Sequence, residues 1–174
     1  MKIHIQNEQQ LLLLIKQEMS TQGPECDLNH LEIGAAHALS WVLVHSQFNG
    51  NILQWDNSNL TNMSGLFHHC DFNDDLSKWD TSKVRNMTHM FADSQFNQDI
   101  CRWNTARVIN MYAMFYKSLF NGDISGWYVC SIQDFFDIFK DCLAPQLYWS
   151  FYRHKKQRNV VVGRYQKILA EKNN

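Results

Sequence analysis

The sequence predicts an α/β repeat fold, a parallel solenoid of short strands and short helices closed by a helical cap at each end. Three observations lead there. Phe48, Phe72, Phe96 and Phe120 are evenly spaced at a period of twenty-four, each followed by an asparagine (Asn49, Asn73, Asn97, Asn121). Trp55, Trp79, Trp103 and Trp127 keep the same period, as do Phe67, Phe91, Phe115 and Phe139. Leu60, Val84, Val108 and Ile132 add an aliphatic column, and Met63, Met87 and Met111 another, with Phe135 in the fourth copy. A fixed period of about 20–50 residues is the signature of stacked supersecondary units that cannot bury an apolar face alone.

The chain has 23 aromatic residues, a high number for 174, and 13 of them fall on these columns. The excess therefore describes stacking between copies. Extended backwards, the register takes in a weaker copy over residues 24–47, where Leu28, Leu31, Ala36, Leu39, Val42 and Leu43 fill the apolar columns. Five units then cover residues 24–143.

Within a unit, Asp75-Leu76-Ser77-Lys78-Trp79-Asp80-Thr81 has the Leu-x-x-Trp spacing of a short strand. Val84, Met87, Met90 and Phe91 follow at i, i+3, i+6 and i+7, which predicts a short helix capped by Ser82 or Thr81. Phe96-Asn97 turns the chain into the next copy. Asparagines in one column suit a ladder of turns, because their side chains bond backbone groups left open. The Trp-Asp pairs at 55–56 and 79–80 do not indicate a propeller, whose blades repeat every ~40–45 residues.

The N-terminal cap is predicted over residues 1–23. Asn7 and Gln10 resemble a capping box, and Leu11, Leu14, Ile15 and Met19 form a helical stripe ending near Gly23. Beyond Leu143 the period stops. Residues 144–174 contain an aromatic run, Tyr148 to Tyr152, then Val161, Tyr165, Ile168 and Leu169 at helical spacing, which predicts a closing helical cap. One domain over residues 1–174 is expected.

The repeat reads Phe-Asn-x-Asp-Ile-x-x-Trp-Asp-Thr-Ser-x-Val-x-Asn-Met-x-x-Met-Phe, clearest over Phe72 to Phe91 and Phe96 to Phe115. This resembles the BspA-like leucine-rich-repeat family, with its Phe-Asn, Trp-Asp, Asn-Met and Met-Phe elements. The resemblance covers residues 24–143. It implies a leucine-rich-repeat-like solenoid and a binding role, and it carries no catalytic residues to transfer. Many such relatives are exported or surface-anchored. Here the only early apolar run, Leu11 to Ile15, is shorter than a signal peptide requires, and no segment approaches the ~20 apolar residues of a membrane helix. A cytoplasmic location is the expectation. Five cysteines without a CxxC pair fit free, mostly buried thiols in a reducing compartment.

The formal charge of −1 conceals an asymmetry. Residues 1–142 hold 16 acids and 9 bases, a net −7; residues 143–174 hold 1 acid and 7 bases, a net +6. The acidic body suits a basic partner protein, and the basic segment is read first as the solvated face of a cap and second as a nucleic-acid contact.

Candidate contact residues flank the tryptophan column. They are His30, Glu32, Gln54, Asp56, Lys78, Asp80, Arg102, Asn104 and Tyr128, together with Gly126, and repeat proteins present such positions to partners. His68-His69-Cys70-Asp71 is the densest group of reactive side chains. Other copies carry Ala92-Asp93-Ser94-Gln95 and Tyr116-Lys117-Ser118-Leu119 there, so a solvated helix end with a packed Cys70 is expected rather than a catalytic or metal site. Cys101, Cys130 and Cys142 share columns with serines and are expected to be small, semi-buried packing residues. No phosphate loop, HExxH or GxSxG element occurs. No catalytic residue, metal or cofactor is expected.

The functional expectation is a non-enzymatic binding protein, a monomer outside its complex, acting as an immunity protein or antitoxin that occludes a basic toxin, for instance a nuclease. A surface adhesin, a nucleic-acid binder working through the basic C-terminal segment, and a metal-dependent enzyme centred on His68, His69 and Cys70 are the alternatives.

Overall fold

The computed structural model describes residues 2–124 and 126–142. The predicted C-terminal cap, residues 144–174, lies outside the described residues.

The chain opens with a two-residue strand, β1 (Ile3–His4), and the helix α1 (Glu8–Gln22). Asn7 caps α1 by accepting from Gln10 N–H at 2.9 Å, and Gln10 Oε1 accepts from Gln6 N–H at 2.8 Å, one residue upstream of a standard capping box. Gly23, at φ 89°, ends the helix with its N–H on the Met19 carbonyl at 3.0 Å. Leu11 and Ile15 are buried, and Leu14 and Met19 pack beside them. The second strand, β2 (Leu31–Glu32), runs parallel to β1 with Ile3 opposite Leu31. β1 has no counterpart in the sequence expectation.

From there the backbone repeats with the period of the phenylalanine and tryptophan columns. Single parallel bridges join Ala38 to Asn62, Asn62 to Asn86, Asn86 to Asn110 and Asn110 to Asp134, and another joins Asp27 to Asn51. The predicted short strands are thus reduced, among the described residues, to isolated bridges between successive units.

The predicted short helices are absent from the described units; among the described residues α1, which precedes the units, is the one α-helix. Residues 63–69 show why. Leu66 N–H closes a turn on Met63 O, and His68 N–H closes the next on Gly65 O. The N–H groups between them leave the unit: Met63, Gly65, Phe67 and His69 donate to the carbonyls of Asn86, Thr88, Met90 and Ala92. The same four bonds recur from Leu39, Trp41, Leu43 and His45, from Met87, His89, Phe91 and Asp93, and from Met111, Ala113, Phe115 and Lys117, all at 2.7–3.2 Å. An α-helix would keep every N–H on its own carbonyls. Left-handed residues twice per unit prevent that: Trp41, Gly65, His89, Ala113 and Asp137 in one column, and His45, His69, Asp93, Lys117 and Asp141 in the other, at φ between 51° and 61°. The result is a ribbon of linked β-turns bonded edge to edge with its neighbours.

Side-chain amides and carboxylates finish the backbone accounting. Asp75, Asp80 and Asn86 each accept the N–H two residues on, from Ser77, Ser82 and Thr88. Equivalent Asx turns recur at Asp99, Asn104 and Asn110. The expected asparagine ladder is present: Asn73, Asn97 and Asn121 donate their N–H to the side-chain oxygens of Asn49, Asn73 and Asn97 at 2.7–2.8 Å.

The core is a set of stacked rings. Phe67, Phe91, Phe115 and Phe139 lie 5.5–5.7 Å apart and within 11° of parallel. Phe48, Phe72, Phe96 and Phe120 stack at 6.0–6.5 Å. The two columns touch within each unit, as at Phe91–Phe96, 4.1 Å. All eight rings are at most 4% exposed, so each Phe→Ala change removes a full side chain of burial, on the order of 3–5 kcal/mol.

Candidate binding surfaces

The two columns flanking the tryptophans reach solvent. Trp55, Trp79, Trp103 and Trp127 are buried, with exposures of 3–6%, while Gln54, Asp56, Lys78, Asp80, Arg102, Asn104, Gly126 and Tyr128 are exposed. Trp55, Trp103 and Trp127 each donate an indole N–H to a carbonyl of the preceding unit, Leu28, Leu76 and Ile100, at 2.9–3.0 Å. These bonds lock the ring and so fix where its sequence neighbours project.

Part of this surface is already engaged. Asp56, Asp80 and Asn104 accept N–H bonds from Ser58, Ser82 and Ala106 at 2.9–3.1 Å. Bonds from Ser58 and Ser82 hold the Asp56 and Asp80 carboxyls below the usual carboxylate range. These side chains shape the turn first, a role that the sequence expectation did not include. Lys78 and Arg102 project from the column before the tryptophans and Tyr128 from the column after them, Tyr128 with 54% of its surface exposed. His30 and Glu32 are half-buried. His30 faces Glu18 of α1 at 3.3 Å, while Glu32 pairs with Lys2 at 2.9 Å and His4 at 2.7 Å. The bond from Lys2 lowers the Glu32 pKa.

Glu32, Gln54 and Asp56 meet in a cleft of about 450 Å³ whose other walls include Lys2, His4, Asn29 and Gly34. The structure thus brings three of the predicted residues together at the β1 end, and spaces the others along the array in register.

In the His68-His69-Cys70 group the cysteine packs inward, as expected. Cys70 is 1% exposed, and burial pushes its thiol up to about 11, so it remains a thiol at neutral pH. Its Sγ lies 3.5 Å from the Phe48 carbonyl, a bond that Cys142 repeats on the Phe120 carbonyl at 3.3 Å. Among the described residues no three of His, Cys, Asp and Glu are placed to hold one metal ion. The expectation of mostly buried thiols holds for Cys26 and Cys70; Cys130 and Cys142 are half-buried, and Cys101 is exposed rather than semi-buried, because it follows the outward Asp99 turn.

A second surface has no counterpart in the sequence expectation. Trp41, His45, His68, His69, His89, Tyr112 and Phe136 form a continuous aromatic face across successive ribbons, with neighbouring rings 4.9–6.4 Å apart. The sequence marks His68 and His69 as a local cluster, but His45 and His89 join it only through the stacking of whole units.

Residues 38–149 match the family described as "Mycoplasma protein of unknown function, DUF285". The chain belongs to this family. No curated protein and no solved structure matches it. The DUF285 match begins at Ala38, the residue that opens the row of bridges through Asn62, Asn86, Asn110 and Asp134. It takes in the aromatic face and the contact columns from Gln54 to Tyr128. Lys2, His4, His30 and Glu32 lie outside the DUF285 segment, so the cleft is walled partly by family residues and partly by residues upstream.

Proposed function

We propose that the chain is a non-enzymatic, cytoplasmic protein-binding module of the BspA-like leucine-rich-repeat kind, its stacked units a variant of that solenoid. The reading rests on the exposed row beside the buried tryptophans. On either side of the tryptophans, Lys78, Arg102 and Tyr128 point outward from a rigidly bonded backbone. Preorganised side chains on a stiff scaffold lose little freedom on binding. The −7 charge of residues 1–142 favours a basic partner, and the specific role proposed is that of an immunity protein or antitoxin covering the active site of a toxin such as a nuclease.

The test is capture from the native cell with the intact chain and with a Lys78→Ala, Arg102→Ala, Tyr128→Ala variant, which removes the contact side chains without adding acidic groups. These positions avoid Asp56 and Asp80, whose loss would disturb the turns. The intact chain should retain one protein and inhibit its activity, and the variant should do neither. Equal retention by both, or a captured protein whose activity is untouched, overturns the proposal.

A further inference from the structure

Among the described residues, three of the four buried side-chain atoms without a hydrogen-bond partner lie on the aromatic face or next to it in sequence: His68 Nδ1, His89 Nδ1 and Thr88 Oγ1. Four imidazoles from three successive ribbons gather there. His45 lies 5.6 Å from His68 and 4.9 Å from His69, and His68 lies 5.9 Å from His89. Trp41 covers the group at 5.5 Å from His68 and 5.9 Å from His89, and Tyr112 closes the far side of His89 at 5.1 Å.

The charges around His68 do not favour a proton. Asp93 is the one carboxylate that acts on His68, and His45 and His89 act against it. On the helix packed over the first unit, Glu8 is committed to Ser40 N–H and Glu18 to His30. The same face carries main-chain bonds that join the ribbons, from Trp41 to Ser64, His45 to His68, Gly65 to Thr88 and His69 to Ala92.

We propose that the His45, His68, His69 and His89 cluster is an acid-operated latch between the first three turn ribbons. Neutral, the imidazoles pack with Trp41 as an aromatic face and hold the ribbon edges together. Protonated, they place like charges within ring-contact distance, and this face parts while the phenylalanine columns behind it stay stacked.

The sign follows from burial, which pushes the His68 and His89 pKa values below the ordinary histidine range. A group depressed in the folded state contributes stability that is complete above its unfolded pKa, about 6.5, and is lost as pH falls below it. The latch therefore opens on acidification.

Hydrogen exchange, corrected for the intrinsic pH dependence, tests the device. Protection of the Trp41, His45, Gly65 and His69 amides should fall about tenfold between about pH 7 and about pH 5, with Phe91 and Phe115 little changed. A His68→Tyr, His89→Ala variant should abolish that fall. It uses the residues found at the same columns in Tyr116 and Ala113, the latter already left-handed. In the wild type, the ring protons of His68 and His89 should titrate below the ordinary histidine value. Flat protection in the wild type, an equal fall in the variant, or unshifted ring titrations would each overturn the latch.

Discussion

The indole of Trp41 lies over Gly65, so close that a Cβ on Gly65 would stand 2.1 Å from Trp41 Cε3. Gly65 is also left-handed at φ 61°, but Ala113 holds the corresponding place two units on at φ 51°. The conformation alone is therefore tolerated by a side chain, and the contact with Trp41 dominates. Gly65→Ala should cost about 1–3 kcal/mol by overpacking, and less than about 1 kcal/mol in a Trp41→Ala background. Urea unfolding of the four proteins in the cycle measures the difference; equal costs in both backgrounds would refute it.

The tryptophan column contains a built-in control. Trp103 donates its indole N–H to Leu76 O at 2.9 Å, whereas Trp79 Nε1 is buried without a partner among the described residues. Trp103→Phe should cost about 1 kcal/mol more than Trp79→Phe, because only the first breaks a hydrogen bond, although Leu76 O keeps the Trp79 N–H at 3.1 Å. Trp79→Ala should still cost on the order of 3–5 kcal/mol through lost packing. Thermal melts of the three variants check both statements.

Asn73 both donates to the ladder, through its N–H on Asn49, and accepts from Asn97 N–H at 2.8 Å. Asn73→Ala should destabilise by about 1 kcal/mol, and Asn73→Asp, which keeps an acceptor, by much less. If the two variants unfold at the same denaturant concentration, the side-chain acceptor is not what matters there.

The period and its columns are legible in the sequence because a ring must meet its counterpart one unit further on. The asparagine ladder is legible for the same reason. The expected helices fail, and Val84, Met87, Met90 and Phe91 show the cause. A ribbon of linked turns buries side chains at much the same spacing as one helix face, so periodicity cannot tell the two apart. The distinguishing mark is the left-handed column, and there the sequence has a glycine only at Gly65; Trp41, His89, Ala113 and Asp137 give no such signal. The aromatic face is hidden differently. His45 and His69 share a column, as do Trp41 and His89, yet those columns also hold Asp93, Lys117 and Ala113. Their composition varies too much to stand out until the ribbons are stacked.

Acid should also act on the Asx turns. Hydrogen bonds from Ser58, Ser77, Ser82 and Cys101 lower the pKa values of Asp56, Asp75, Asp80 and Asp99. These carboxyls are depressed on folding, so their contribution is complete above about pH 4 and disappears as pH falls through the folded values. They lie near the surface, where solvent screens them, and each effect is small. Carboxyl titration by NMR should place Asp80 below the free aspartate value, and Ser82→Pro, which removes the donor N–H, should bring it back up. An Asp80 that titrates normally in the wild type would contradict the turn assignment.

The bonds between ribbons fix how such a chain can change in length. Each ribbon offers the same four N–H groups forward and the same carbonyls behind, so duplicating or deleting one whole unit inside residues 38–141 leaves every donor facing an acceptor. A block of any other size shifts rings, asparagines and left-handed residues out of line at once. Variation in this array is therefore counted in whole copies, and a recombination that adds one lengthens the exposed row by one more set of contacts without asking the core for anything new.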